Sequence, residues 1–263
     1  MPFFKTSDNV AIHYEDTGQG CPVIFVHGWG LSGGIWSCQS GLASICRMIV
    51  PDLRGHGRSS APDNGYSFSR FAADLAELAD FLSLDKVLLV GWSMGVQIAL
   101  QTLPLMRSRL SAMILISGTP KFTSEGGYRY GLPASEIRGL QLLLKRDLKK
   151  GQRGFIDNML APGENSDGIE EPPLSLQGAI KSLQTLENSD LRDMLSLVDL
   201  PVLLIHGSKD RICLHDSSRY MVESLSNGRL VTIEGAGHIP FLTRAEEFNA
   251  VFCSFMDEIY AFH

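Results

Sequence analysis

Gly91-Trp92-Ser93-Met94-Gly95 concentrates the chemistry of this chain. The pentapeptide follows the apolar run VLLV (87–90) and opens a second apolar stretch, 96–103, of helical character. A serine on a sharp strand-to-helix turn is crowded at its flanking positions, and glycine there removes the collisions. Its Oγ then lies at a helix N-terminus, where free N–H groups and the helix dipole favour developing negative charge. Ser93 is therefore the candidate nucleophile. A serine hydroxyl needs a base beside it and a third group to hold that base. Such an elbow is followed along the chain by an acid and then a histidine. HGSKD (206–210), just past the run VLLI, offers Asp210, and EGAGH (234–238), just past LVTI, offers His238. Asp216 and Glu234 are the alternative acids.

Acyl transfer also needs donors for a tetrahedral oxyanion. The N–H of Met94, next after the nucleophile, is one. The other is the N–H of Trp29 in HGWG (27–30), whose indole is also expected to line an acyl pocket. The remaining histidines read as structural. His27 and His56 sit in glycine-rich turns and are expected to brace loops. His206 ends a strand, His13 lies on an edge strand, and His215 and His263 are expected at the surface, none with a partner at catalytic spacing. Asp52 belongs to PDLRGHGRS, which reads as a structural turn. The five cysteines are scattered without a CxxC pair, so metal and redox spacings are absent. They are expected to be reduced and packed as small apolar groups.

A scaffold must gather these residues. Short apolar runs at 23–26, 48–50, 87–90, 113–116, 202–205 and 230–233 alternate with helical stretches such as 69–82 and 245–260. Runs that are apolar on both faces signal buried parallel strands. The alternation predicts an α/β class, a mostly parallel, doubly wound sheet flanked by helices. Residues 3–6 and 10–15 alternate in polarity and predict an antiparallel edge hairpin. Carboxyl ends of parallel strands share one sheet edge, which would bring Ser93, Asp210 and His238 together. Residues 119–190 lack any strand-like run and are expected to form a helical lid above that edge, between core segments 1–118 and 191–263. One stripe is expected through Ile137, Leu140, Leu144 and Leu148, and another through Ile180, Leu183 and Leu186, with a loop at 163–173 between them.

Composition narrows the class further. The chain has 263 residues, 44% of them hydrophobic and 20% charged, as in folded globular domains. A net charge of −6 argues against a nucleic-acid binder. No apolar run reaches the roughly 20 residues of a membrane span, and the first residues lack a basic start and apolar stretch like those of a signal peptide. A cytoplasmic, monomeric protein is expected, with no metal or organic cofactor. Six basic residues (Arg138, Lys145, Arg146, Lys149, Lys150 and Arg153) face one acid, Asp147, within 138–153. Lys145 and Lys149 are expected to share a helical face, with Arg138 and Arg153 near it.

HGWG, PDLRGHGRS, GWSMG, HGSKD and GAGH match, in order and spacing, the landmarks of the α/β-hydrolases, which the chain resembles over its whole length. HGWGLSGGIW, LQGAIKSLQTLENSDLRDML and GAGHIPFLTRAEEF resemble the pimeloyl-acyl carrier protein methyl ester esterases of biotin synthesis. That resemblance implies a serine carboxylesterase with Ser93, Asp210 and His238 as nucleophile, acid and base. It implies substrate contacts from Trp29, Ser93, Met94 and His238, and an acyl channel lined by Leu140, Gln141, Leu142, Leu143 and Leu144. An acidic acyl carrier protein would be the partner, docking on Arg138, Lys145, Lys149 and Arg153. Val96 departs from the family, which usually has a second glycine there, and is expected to tighten helix-against-strand packing. PDLRGHGRSSAPDNGYSF also resembles the haloperoxidase-like esterases, so a small-ester or lactone hydrolase is the alternative enzyme. A triad-retaining small-molecule receptor is the alternative outside catalysis.

Overall fold

The computed structural model describes residues 2–166 and 169–260. Its eight strands are β1 (Phe3–Lys5), β2 (Ala11–Thr17), β3 (Pro22–Val26), β4 (Arg47–Pro51), β5 (Val87–Trp92), β6 (Leu110–Ile116), β7 (Val202–Gly207) and β8 (Gly228–Ile233). They form one sheet in the order β1-β2-β4-β3-β5-β6-β7-β8. β1 pairs antiparallel with β2, and β2 antiparallel with β4, which is the edge hairpin expected from the alternating N-terminus. The other pairings are parallel. Every residue of β5 and β7 is buried, the signature of a sheet covered on both faces.

The chain reverses direction across the sheet at β3, whose neighbours are β4 on one side and β5 on the other. Ligands of open α/β sheets collect at such a switch, beyond the strand carboxyl ends. Val26 pairs with Gly91, so HGWG and GWSMG leave the sheet side by side. Helix α1 (Phe68–Phe81) packs against α2 (Met94–Met106), which also lies on β5 and β6. Val96 on α2 fills a space left at Gly118: a Cβ there would stand 2.3 Å from Val96 Cγ2. The valine in place of a glycine is thus matched by a glycine opposite it.

Between β6 and β7 the described residues form three α-helices, α3 (Ala134–Arg146), α4 (Leu148–Asn158) and α5 (Leu176–Asn188), and a 3-10 helix (Arg192–Leu197). The single stripe expected through Leu148 is corrected here. The backbone of Asp147 turns extended (φ −156°, ψ 98°), and its side chain accepts from Lys150 N at 3.0 Å. Asp147 acts as an N-cap and splits the stretch into two helices. Lys145 therefore ends α3 while Lys149 begins α4, so the two do not share one helical face. The chain continues through α6 (His215–Ser224), α7 (Pro240–Thr243) and α8 (Ala245–Tyr260). No helix among the described residues is long and apolar enough to cross a membrane.

Candidate active site

The elbow is built by close approach. A Cβ on Gly91 would fall 2.4 Å from the carbonyl oxygen of Gly95, and one on Gly95 would fall 2.5 Å from that of Val26. Between them Ser93 takes φ 56° and ψ −117°, a conformation costly for a residue with a side chain. Its N–H donates to Ile116 O at 2.9 Å, tying the turn to the end of β6. Gly28 brings the HGWG loop in as closely: its Cβ would stand 3.0 Å from Ser93 Cβ. Met94 begins α2, and the first N–H groups of a helix have no intrahelical partner.

Asp210 and His238 reach Ser93 from loops that cross each other. Gly207 lets the later loop pass, since a Cβ there would lie 2.1 Å from Gly237 O. Ser208 N donates to Ile233 O, Lys209 N to Ala236 O, and Gly235 N to Ser208 Oγ. Trp92 in the elbow donates from Nε1 to His238 O at 2.8 Å. The Ser93 hydroxyl lies 2.9 Å from His238 Nε2, and His238 Nδ1 lies 2.8 Å from Asp210 Oδ2. Asp210 Oδ1 accepts from the N–H groups of Ile212 and Cys213. Burial pushes the Asp210 carboxyl up, but the charge of His238 and hydrogen bonds from His206 and His238 outweigh it. The carboxyl is held below the usual carboxylate range, so it accepts from the imidazole as an anion. This arrangement can take a proton from Ser93 and stabilise the imidazolium that results. Of the alternative acids, Glu234 is exposed and Asp216 faces Arg219 at 3.5 Å on α6.

The helical insertion covers the centre, leaving Ser93 only 8% exposed. Four of the contacts among the described residues that join the two lie beside Trp29 and His238. Trp29 Nε1 donates to Ala179 O on α5, and Gln152 Nε2 on α4 donates to Gly30 O. His238 N donates to Met159 O, and Gly237 N to Glu164 Oε2. A cavity of about 320 Å³ lies within the insertion, walled by Ile137, Leu140, Leu143, Phe155 and Leu183, with Ile212 from the Asp210 loop. Glu136 and Asn158, both exposed, are polar members of its lining.

Several expected residues stand elsewhere. The Trp29 indole does not line this cavity. It packs edge-on behind Phe155 at 4.8 Å, where its N–H serves the insertion. Of the run 140–144, only Leu140 and Leu143 reach the cavity. Leu144 is buried against Gly151, Gln141 bonds Glu187 at 2.9 Å, and Leu142 is 68% exposed. Five consecutive helical residues point all round the axis, so they cannot share one wall. Arg138 faces Glu187 at 4.0 Å, and Arg153 is paired with Asp157 and Glu171. Lys145, Arg146, Lys149 and Lys150 are exposed at the α3–α4 corner, with no ion pair among the described residues.

The histidines read as structural divide. His27 accepts Leu53 N–H at Nε2 and sits 2.7 Å from Gly28 O at Nδ1, while His56 Nδ1 meets Arg54 O at 3.0 Å, so both brace their loops. Asp52 is the hub of its turn, accepting from Gly33 N, Arg58 N and His13. His215 is half-buried and bonds Thr232, whereas His263 lies outside the described residues. His206 does have a partner in the centre: its Nε2 is 3.0 Å from Asp210 Oδ2. All five cysteines are free, and Cys38 is exposed rather than packed. Among the described residues no group of three or more His, Cys, Asp or Glu side chains is placed to hold a metal ion.

Residues 23–251 match the Alpha/beta hydrolase family. The chain is 30% identical to the pimeloyl-[acyl-carrier protein] methyl ester esterase of Nitrosomonas europaea, over 92% of this chain and 98% of that protein. It is 31% identical to a non-heme chloroperoxidase of Kitasatospora aureofaciens, over 90% and 92% of the two chains. The solved structure of an esterase from Exiguobacterium antarcticum matches with a TM-score of 0.91 at 32% identity, covering 96% of this chain and 98% of that one. An elbow after β5, an acid after β7 and a histidine after β8, on a sheet of this order, agree with that match: the chain belongs to the alpha/beta hydrolase family.

Proposed function

We propose that this protein is a serine carboxylesterase, and that its substrate is the methyl ester of a pimeloyl chain carried by an acyl carrier protein. The observation that carries the esterase reading is the unbroken chain from Ser93 through His238 to Asp210, at 2.9 and 2.8 Å. Ser93 Oγ attacks the ester carbonyl while its proton passes to His238 Nε2. The N–H groups of Met94 and Trp29 receive the oxyanion. Collapse expels the alkoxide, which takes the proton from His238 and leaves as methanol. Water then attacks the acyl-enzyme by the same route and releases the carboxylic acid and Ser93.

The carrier-bound substrate is supported by two features together. The cavity among α3, α4 and α5 is mostly apolar and suits an aliphatic chain, and Ile212 rather than Ser93 or His238 is its link to the centre. The four unpaired cations at the α3–α4 corner suit an acidic carrier, with association that weakens as salt rises. The named esterase from Nitrosomonas europaea supports the same reading. A second reading, hydrolysis of small free esters, is favoured by equal likeness to the chloroperoxidase and by the covered site.

One set of assays tests both. Ser93→Ala should lower ester hydrolysis on the order of 10⁴-fold or more while leaving thermal unfolding near wild type. Retained activity would remove the esterase reading. Lys145→Glu with Lys149→Glu should reduce kcat/KM for a carrier-bound ester about tenfold at low salt and leave a p-nitrophenyl ester untouched. Equal effects on both substrates would leave only the small-ester reading.

A further inference from the structure

We propose that His206 is a positioning residue of the catalytic centre, holding the same Asp210 oxygen to which His238 is bonded. The inference rests on the reading of Ser93, His238 and Asp210 given above. His206 lies in β7 and is fully buried. Its Nε2 stands 3.0 Å from Asp210 Oδ2 and 2.8 Å from Cys213 O. A carboxylate anion and a carbonyl both only accept, so Nε2 carries the hydrogen. At the other side of the ring, Nδ1 lies 2.7 Å from Ser218 Oγ on α6, which fixes the ring at both nitrogens. The Nε2 hydrogen bonds to Cys213 O and stands beside Asp210 Oδ2, so Ser218, His206, Asp210, His238 and Ser93 form one contiguous series of polar contacts.

The contact has a chemical consequence. The Asp210 side chain is excluded from solvent, so no water can replace a missing donor at Oδ2. Without His206, Oδ2 would keep only its bond from His238, while Oδ1 would remain fixed by two loop N–H groups. The positive end of the Nε2–H dipole, 3.0 Å from Oδ2, draws charge from the oxygen that stabilises the imidazolium of His238. It therefore holds the carboxylate in place and limits how strongly it draws a proton onto His238. The other groups that face His206 are the His215 ring at 5.5 Å, on α6, and Cys213, whose thiol burial pushes up beyond its ordinary range. Asp216, Glu234 and Arg219 bear on His215 in turn.

The experiment is the pH profile of kcat and kcat/KM on a p-nitrophenyl ester, from about pH 5 to 9. Wild type, His206→Leu, His206→Gln, Ser218→Ala and Ser93→Ala are compared. His206→Leu should lower kcat about ten- to hundredfold, as expected for removing a polar contact from a buried charge, with KM changed less than about twofold. Its acid limb should move to higher pH by about half a pH unit or more. His206→Gln, whose amide can donate to Oδ2, should recover most of kcat and return the limb. An acid limb that stays in place or moves down, or equal damage from Leu and Gln, overturns the proposal. Should His206→Leu fail to fold, Ser218→Ala carries the same expectation in smaller measure, and an unmoved limb overturns it. Activity surviving in Ser93→Ala would instead overturn the esterase reading, so the two failures are separable.

Discussion

His56 links the pH dependence of stability to the loop that flanks the nucleophile. The ring is buried at the His27 ring, 5.4 Å away, and its Nε2 has no hydrogen-bond partner among the described residues. Burial, followed by repulsion from His27, lowers its pKa from 6.5 to about 3. Above about pH 6.5 neither the folded nor the unfolded chain binds this proton, and stability is complete. As pH falls, the unfolded chain takes up a proton that the folded chain refuses until about pH 3, so stability is lost across that window. At pH 5 the loss from this one group is about 2 kcal/mol, roughly a thirtyfold shift toward unfolding. His27 adds in the same direction, because burial lowers its pKa too and both its nitrogens are used as in the neutral ring. Carboxylates held low, such as Asp210, lose their contribution only below about pH 4 and do not enter this window. The test is urea unfolding, followed by tryptophan fluorescence, at about pH 7.5 and pH 5 for wild type and His56→Asn. Asparagine can keep the bond to Arg54 O without titrating. The variant should be about 1–2 kcal/mol weaker at the higher pH for its lost packing, yet lose about 2 kcal/mol less than wild type on acidification. The same loss in both proteins would refute the reasoning.

Gly118→Ala should destabilise the protein by about 1–3 kcal/mol, since the new methyl meets Val96 Cγ2 at 2.3 Å. Val96→Ala in the same chain should restore part of that loss, with a coupling of about 1 kcal/mol in a double-mutant cycle of thermal unfolding; strict additivity would refute the pairing. Glu164→Ala should lower kcat about tenfold with little change in KM, because Oε2 holds both Ala161 N and Gly237 N beside His238. Glu164→Gln, which keeps an acceptor, should stay within about threefold of wild type in the same assay, and equal losses would show that the contact does not position the base.

What could be read from the sequence was what one rule of geometry decides. Ser93, Asp210 and His238 each follow a run of buried strand residues, and parallel strands deliver such positions to one edge whatever the intervening chain does. The edge hairpin was legible for a similar reason, since alternation in polarity has only one sheet-like meaning. Side-chain direction was not. Asp147 is tolerable inside a helix and also a strong N-cap, so periodicity carried the stripe through to Leu148 and missed the turn. That turn is what separates Lys145 from Lys149. His206 was hidden by its place in an apolar strand run. Only the return of the loop at Asp210, four residues later, puts a carboxylate against its ring. A histidine four residues before a candidate acid, at a strand end, was the one signal available.

The insertion is bonded to two loops that flank Ser93. It meets the HGWG loop through Trp29 and Gly30, and the loop after β8 through Gly237 and His238. Two of the four contacts involve backbone on both sides or a buried amide, so they fix loop position rather than merely covering it. Gly237 makes the dependence sharp: a Cβ there would fall 2.4 Å from Met159 O and 2.9 Å from Glu164 Oε2. The glycine before the histidine is therefore required by the insertion pressing on it, not by its own backbone angles. Displacing the insertion removes partners from the main chain on either side of Ser93. A change in residues 159–164 is then felt at His238 through the main chain, although none of those residues belongs to the Ser93-His238-Asp210 series.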